Sequence, residues 1–228
     1  MAGTLYGIYG ASGCGRGVMP IARQLLAKDS AGSEKQRLVF IDDKPNAAEV
    51  NGCEVLTYKR FLQQEATQRC VAVAIADSRV RAGIAKTIAE DGCKPMQLFA
   101  SNTVIMDNVS IGIGSILSPF VTLTSNIDIG SYFHANIYSY VEHDCKIGNF
   151  VTFAPRVMCN GNVIIEDHVY VGAGAMIRQG RPDQPVIVGE GAVIGMGSVV
   201  LNDVPAGTTV VGNPARQLKN ILMAEKNN

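Results

Sequence analysis

An excess of either charge is the first thing missing from this chain of 228 residues: twenty Lys and Arg balance twenty Asp and Glu, and the formal charge is zero. No basic run exceeds the pair Lys59-Arg60, so the electrostatic footprint of a nucleic-acid binder is absent and any anionic ligand must be held locally. Long apolar runs are missing too. Nothing approaches the roughly 18 uninterrupted apolar residues of a membrane span, and the opening MAGTLYGIYGASG has no cationic stretch followed by a long apolar one. A cytoplasmic, soluble protein without a membrane span is the expectation. CxxC spacing is absent: Cys14, Cys53, Cys70, Cys93, Cys145 and Cys159 are scattered through apolar or glycine-rich runs, which predicts reduced packing residues. Histidine is scarce, with only His134, His143 and His168.

What is present is 47% hydrophobic residues, enough for packed cores in one large domain or two ordinary ones. The first hundred residues alternate strand-like and helix-like segments. LYGIYG (5–10) reads as a strand, MPIARQLLAK (19–28) has helical apolar spacing, and RLVFIDD (37–43) is a strand ending in two acids. VAVAIA (71–76) is a third strand before SRVRAGIAKTIAEDG, where Ser78 is the expected helix cap and Gly92 the stop. The pattern predicts an α/β domain over residues 1–101, a small Rossmann-like parallel sheet with flanking helices.

From Thr103 onward the period becomes six. Starting at Ile105, every sixth residue through Ile177 is apolar, thirteen in all, including Leu117, Leu123, Ala135, Val141, Ile147, Phe153, Cys159 and Val171. The fifth place of each sextet is mostly small or β-branched, and these residues are expected to let the chain turn its corners. The phase breaks at RQGRPDQP (178–185) and returns with Val188, Ile194 and Val200, which predicts an inserted loop of about five residues. Such a period indicates a parallel β-helix over residues 102–228, each sextet forming one flat side and its first residue pointing into the core.

On IYGASGCGR, FIDD, AIADSRVR, VEHDCKIGNF and VVGNPAR, in that order, the chain resembles the hexapeptide-repeat acyltransferases, whose left-handed β-helices assemble as homotrimers. More closely, it is similar to the bacterial nucleotide-linked amino-sugar N-acetyltransferases, the group that includes the bacillosamine-pathway enzyme. The resemblance implies acetyl-CoA as co-substrate, no metal, and acetylation of the 4-amino group of a UDP- or dTDP-linked amino-deoxy sugar in bacterial glycan synthesis.

Residues 10–16, GASGCGR, follow a strand and open a helix, a context that brings backbone N–H groups to phosphate oxygens. Asp42 and Asp43 end the second strand, where acids accept hydrogen bonds from a ribose or a base N–H. The resemblance implies that this domain grips a nucleotide diphosphate rather than NAD, through Ser12, Gly13, Arg16, Asp42, Asp43 and Ala76.

His143 is the one histidine flanked by carboxylates, Glu142 and Asp144. A carboxylate on one ring nitrogen fixes the tautomer and leaves the other nitrogen to take a proton. The resemblance assigns His143 as base and Asp144 as its orienting acid, with Glu142 the alternative. If a coil is three sextets, the residue one coil above His143 is Gly161, whose N–H is then the candidate oxyanion donor. Asn136 matches a family position near the sugar. Thr152 stands where relatives carry a second histidine, nine residues after the base, beside acetyl-CoA. Gly172 and Ala173 in VGAGA, and Gly195 in VIGMGS, are expected to let the pantetheine arm approach, while GNPARQLK supplies Pro214, Arg216 and Lys219 near the adenine and phosphates. The three histidines lie 9 and 25 residues apart and share no edge of the repeat, so the zinc site of the prism-shaped carbonic anhydrases is not expected. Two other readings stay open: a sugar O-acetyltransferase of the sialic-acid type, and a non-catalytic trimeric scaffold that binds nucleotide sugars.

Overall fold

The structure is a computed structural model, and it describes residues 3–29 and 36–218. Lys219 lies outside the described residues. The chain divides into two compact units, Met1–Ser101 with Ile113–Ile116, and Asn102–Gly112 with Leu117–Asn228. No helix among the described residues is long and apolar enough to cross a membrane.

The first unit runs β1 (Thr4–Tyr9), α1 (Gly13–Asp29), β2 (Arg37–Ile41), β3 (Glu49–Val50), β4 (Cys53–Leu56), α2 (Tyr58–Leu62), β5 (Gln68–Val73), α3 (Ser78–Glu90) and β6 (Lys94–Pro95). Its sheet has the order β3-β4-β2-β1-β5-β6, parallel except for the β3–β4 pair. Ile8, Phe40 and Ala72 from the central strands, with Ala74 just beyond β5, bury against Val18, Met19 and Ala22 of α1. Two helix starts differ from the sequence expectation. Helix α1 begins at Gly13 rather than Met19, with the Arg16 N–H bonded to the Ser12 carbonyl at 2.9 Å; the glycines of its first turns carry little helix propensity and hid it. Helix α3 is capped by Asp77, not Ser78, because the Asp77 carboxylate reaches the N–H groups of Arg79 and Val80, both at 2.9 Å.

The second unit is a left-handed parallel β-helix, and its register is read directly from strand pairs 18 residues apart. Tyr140–Val141 lies between Thr122–Leu123 and Met158–Cys159 on one side, and His134–Ala135 pairs with Thr152–Phe153 on another. The interval lengthens at Ile165↔Val188, the five-residue insertion expected from the broken phase. First-place residues such as Leu117, Val141 and Ile177 are buried, as the period requires.

The corners are made differently from the expectation. Fifth-place residues do not turn the chain; Val121, Ile127, Phe133, Cys145, Val157 and Val169 are buried and complete the core. The turning is done at the fourth place, where every residue from Asn108 to Gly174 taken in sixes has a positive φ near 55–71°. Asn and Asp accept this left-handed conformation because their short polar side chains bond locally. Tyr132, Phe150 and His168 adopt it as a column of stacked rings, with centroids 5.2 Å apart at each step. One such corner is the column Asn108, Asn126, Asp144, Asn162.

Candidate active site

That column carries the candidate chemistry. Asp144 holds its left-handed turn at φ 58°, and its carboxylate is hydrogen-bonded on both oxygens. Asn126, one coil below, donates to Oδ1 at 3.2 Å, and His143 Nδ1 lies 2.7 Å from Oδ2. The His143 bond first, and the Asn126 bond second, hold the Asp144 carboxyl below its ordinary pKa. An ionised carboxylate only accepts, so His143 Nδ1 carries the proton and Nε2 of the neutral ring is left with a free lone pair.

Gly161 lies one coil above, as the sextet count expected. A β-carbon there would fall 2.6 Å from both Cε1 and Nε2 of His143, so only glycine leaves room for the imidazole. The Asn162 N–H donates to the His143 carbonyl at 3.0 Å and locks the two turns in register. The Gly161 carbonyl accepts from Gly180 N–H at 2.9 Å, while its own N–H has no hydrogen-bond partner among the described residues. Beneath the corner, the hydrogen bond between Cys145 and Cys159 holds the first thiol below its ordinary pKa and pushes the second up. Glu142 is half-buried on the same corner; with burial as the larger cause, its charge raises the pKa of the Tyr140 phenol.

The other expected residues of this unit lie elsewhere on the same chain. Asn136 occupies the preceding corner and its Oδ1 accepts from the Ile137 N–H at 2.8 Å. Thr152 is buried on a strand in register with the equally buried His134. A β-carbon on Gly172 would meet Met196 N at 2.5 Å, so coil stacking by itself accounts for that glycine; one on Gly195 would meet the Val211 side chain at 2.7 Å. Ala173 is exposed. Pro214 follows a cis peptide bond, and the exposed Arg216 lines a cavity of about 390 Å³ together with Leu201, Asp203 and Gln217.

In the first unit, the residues expected to meet the nucleotide gather beyond the carboxyl ends of β1, β2 and β5. The β1–α1 turn is tight: a β-carbon at Gly15 would lie 1.8 Å from the Gly10 carbonyl oxygen. Gly13 has open space around it, and Ser12 and Arg16 are exposed at the start of α1, where unpaired N–H groups favour an anion. Asp42 braces the turn by accepting from Ala11 N–H at 3.3 Å and Lys44 N–H at 3.0 Å. Asp43 accepts from the Tyr9 hydroxyl and, at 2.9 Å, from the Tyr58 N–H. Burial, reinforced by the bond to Asp43, raises the Tyr9 pKa and keeps the phenol protonated. Ala76 is exposed, and its carbonyl accepts from Arg81 Nη1 at 3.1 Å. Arg81 itself escaped the sequence reading. It is wholly buried, its guanidinium also bonds the Ile75 carbonyl at 2.6 Å, and burial brings its pKa down to about 10. Among the described residues, no group of three or more His, Cys, Asp or Glu side chains is placed to hold a metal.

Residues 7–88 match the family described as the PglD N-terminal domain. Over 216 residues the chain is 50% identical to GDP-perosamine N-acetyltransferase of Escherichia coli O157:H7, covering 95% of this chain and 97% of that protein. Among solved structures, WeeI from Acinetobacter baumannii AYE is similar with a TM-score of 0.90 at 52% identity, over 94% of this chain and 100% of that one. The acetyltransferase domain of PglB from Neisseria gonorrhoeae FA1090, in complex with acetyl coenzyme A, is similar at 29% identity with a TM-score of 0.83, over 95% of this chain and 100% of that one.

Proposed function

The chain belongs to the hexapeptide-repeat N-acetyltransferases that act on nucleotide-linked amino sugars with acetyl-CoA, and on that premise we propose that it acetylates the 4-amino group of a GDP-linked amino-deoxy sugar, with His143 as general base. The sequence reading favoured UDP or dTDP; the extent of the likeness to the E. coli GDP-perosamine enzyme moves the reading to GDP. The observation that carries the mechanism is the His143–Asp144 pair at 2.7 Å with Gly161 pressed against the imidazole.

The chemistry follows from that geometry. The neutral sugar amine attacks the thioester carbon, and Nε2 of His143 takes the proton that the nitrogen sheds. Negative charge then builds on the former carbonyl oxygen, where the Gly161 N–H stabilises it. As the tetrahedral intermediate collapses, the C–S bond breaks and the imidazolium returns its proton to the departing thiolate, giving the amide and free CoA. Asp144 holds the ring in the tautomer that allows both transfers. Ser12, Gly13 and Arg16 meet the diphosphate, while Asp42, Asp43 and the exposed edge at Ala76 define the nucleoside site. Asn136, Thr152, Ala173, Pro214 and Arg216 are assigned to the sugar and to CoA.

We further assign the chain to a homotrimer. An exposed apolar strip supports this: Phe120 and Tyr138, stacked at 4.7 Å, are 51% and 56% exposed, and Ile137, Met176 and Val104 extend the apolar surface. Closed threefold packing would cover it. Acetyl-CoA and nucleotide sugars are cytoplasmic metabolites, which supports a cytoplasmic location and a place in bacterial glycan synthesis.

A thiol-release assay tests the reading. GDP-, UDP- and dTDP-linked 4-amino sugars are offered with acetyl-CoA, beside a hydroxy sugar on the same nucleotide. Preferred turnover of the GDP-amino sugar is expected. Faster release with the hydroxy sugar would make the chain an O-acetyltransferase.

A further inference from the structure

Under the catalytic corner lie two buried thiols to which the acetyl transfer described above assigns no part. Cys145 and Cys159 are 1% and 0% exposed. Cys145 Sγ is 3.3 Å from the Asn160 carbonyl oxygen and 3.6 Å from that of His143, and Cys159 Sγ is 3.8 Å from the Asn160 oxygen. Both thiols are placed to donate to the Asn160 carbonyl, Cys145 at the shorter distance. The Asn160 carbonyl therefore points inward, toward the core. Across a trans peptide the carbonyl and the following N–H point in opposite directions, and the Asn160–Gly161 bond is trans. An inward Asn160 carbonyl thus turns the Gly161 N–H away from the core, toward the His143 ring that covers this buried glycine. The Asn160 side chain is pinned as well, accepting from the Tyr140 hydroxyl at 2.9 Å and donating to the Ile177 carbonyl at 2.8 Å.

We propose that Cys145 is a positioning residue for acetyl transfer: its thiol holds the Asn160 carbonyl inward and so aims the Gly161 N–H at the thioester oxygen. The inference rests on the reading in which that N–H stabilises the oxyanion. The peptide needs such a restraint. Glycine follows it, and glycine accepts either sign of φ, so rotation of this one peptide plane is cheap unless the carbonyl has a partner. Removing the Cys145 thiol leaves that buried carbonyl only the longer contact from Cys159 at 3.8 Å, and a plane that turns outward to find water carries the Gly161 N–H inward.

The test compares Cys145→Val, which fills the space without a donor, with Cys145→Ser, which keeps one. Steady-state kinetics of the full chain should show kcat lowered roughly 10- to 100-fold in Cys145→Val, a part of what losing an oxyanion donor costs. The KM values for both substrates should hold, and Cys145→Ser should regain most of the loss. Equal kcat in the wild type and Cys145→Val, or a Ser variant no better than the Val variant, would overturn the proposal. His143→Ala separates the two levels. A chain that stays active without His143 defeats the mechanism itself, whereas a His143-dependent chain indifferent to Cys145→Val defeats only the role given to the thiol.

Discussion

The imidazole of His143 occupies the space that a β-carbon on Gly161 would need, 2.6 Å from Nε2, although the two residues stand a full coil apart. Candidate base and candidate oxyanion donor are thus held at contact distance by the 18-residue register of the β-helix. Gly161→Ala is expected to push the ring off its place while the strands on either side stay paired. Turnover should fall roughly 100-fold or more, the size of effect seen when a transition-state donor is displaced. Thermal unfolding measured beside kcat checks that the loss is local.

Asp144→Asn tests the orienting acid. Asp144 is held below its ordinary pKa chiefly by its bond to His143, so it stands as an ionised acceptor that fixes the ring tautomer. Replacing it with an amide should lower the plateau of the kcat profile, because the tautomer is no longer enforced. Because the Asp144 pKa is lowered on folding, its contribution to stability is present above the unfolded-state value of about 3.8 and is lost as pH falls through the folded value below it. Since the pair is half-exposed, the effect on unfolding near neutral pH should be small.

Asp43→Ala should weaken binding of the nucleotide sugar by about 10–100-fold, the range of a hydrogen bond to a charged group, and leave acetyl-CoA binding unchanged. The carboxylate braces Tyr9 and Tyr58 as well as facing the strand ends, so Asp43→Asn, which keeps an acceptor, should lose less. Calorimetry with each ligand separately reads this. An equal loss of both affinities points to misfolding instead.

Tyr138→Glu places a charge on the exposed Phe120–Tyr138 stack. Sedimentation should show a stable wild-type trimer and a variant shifted toward monomer. A wild-type chain that is an active monomer removes the shared-surface assignment altogether.

How far the sequence carried depended on whether a feature repeats. The apolar residue at every sixth position from Ile105 indicated the β-helix, its register and the place of Gly161 one coil above His143. The corners were not legible in the same way, because Tyr132 and Phe150 are poor choices for a left-handed turn and are held there by stacking between coils. The column Asn108, Asn126, Asp144, Asn162 did carry a signal in its 18-residue spacing, which would have identified Asn126 as the second support of Asp144. Arg81 carried none: a lone arginine on a helix reads as a solvated charge, and only tertiary packing shows it buried against the carbonyls of Ile75 and Ala76.

Turnover of His143→Ala against intact ligand binding is the most direct measurement of the central claim. With acetyl-CoA and the preferred nucleotide-linked amino sugar, kcat should fall roughly 10²–10⁴-fold, the usual contribution of a positioned acid–base group, while both affinities and the oligomeric state are retained. A His143→Ala chain that releases CoA at near the wild-type rate would show that the His143–Asp144 pair is structural and that the proton leaves the amine by another route.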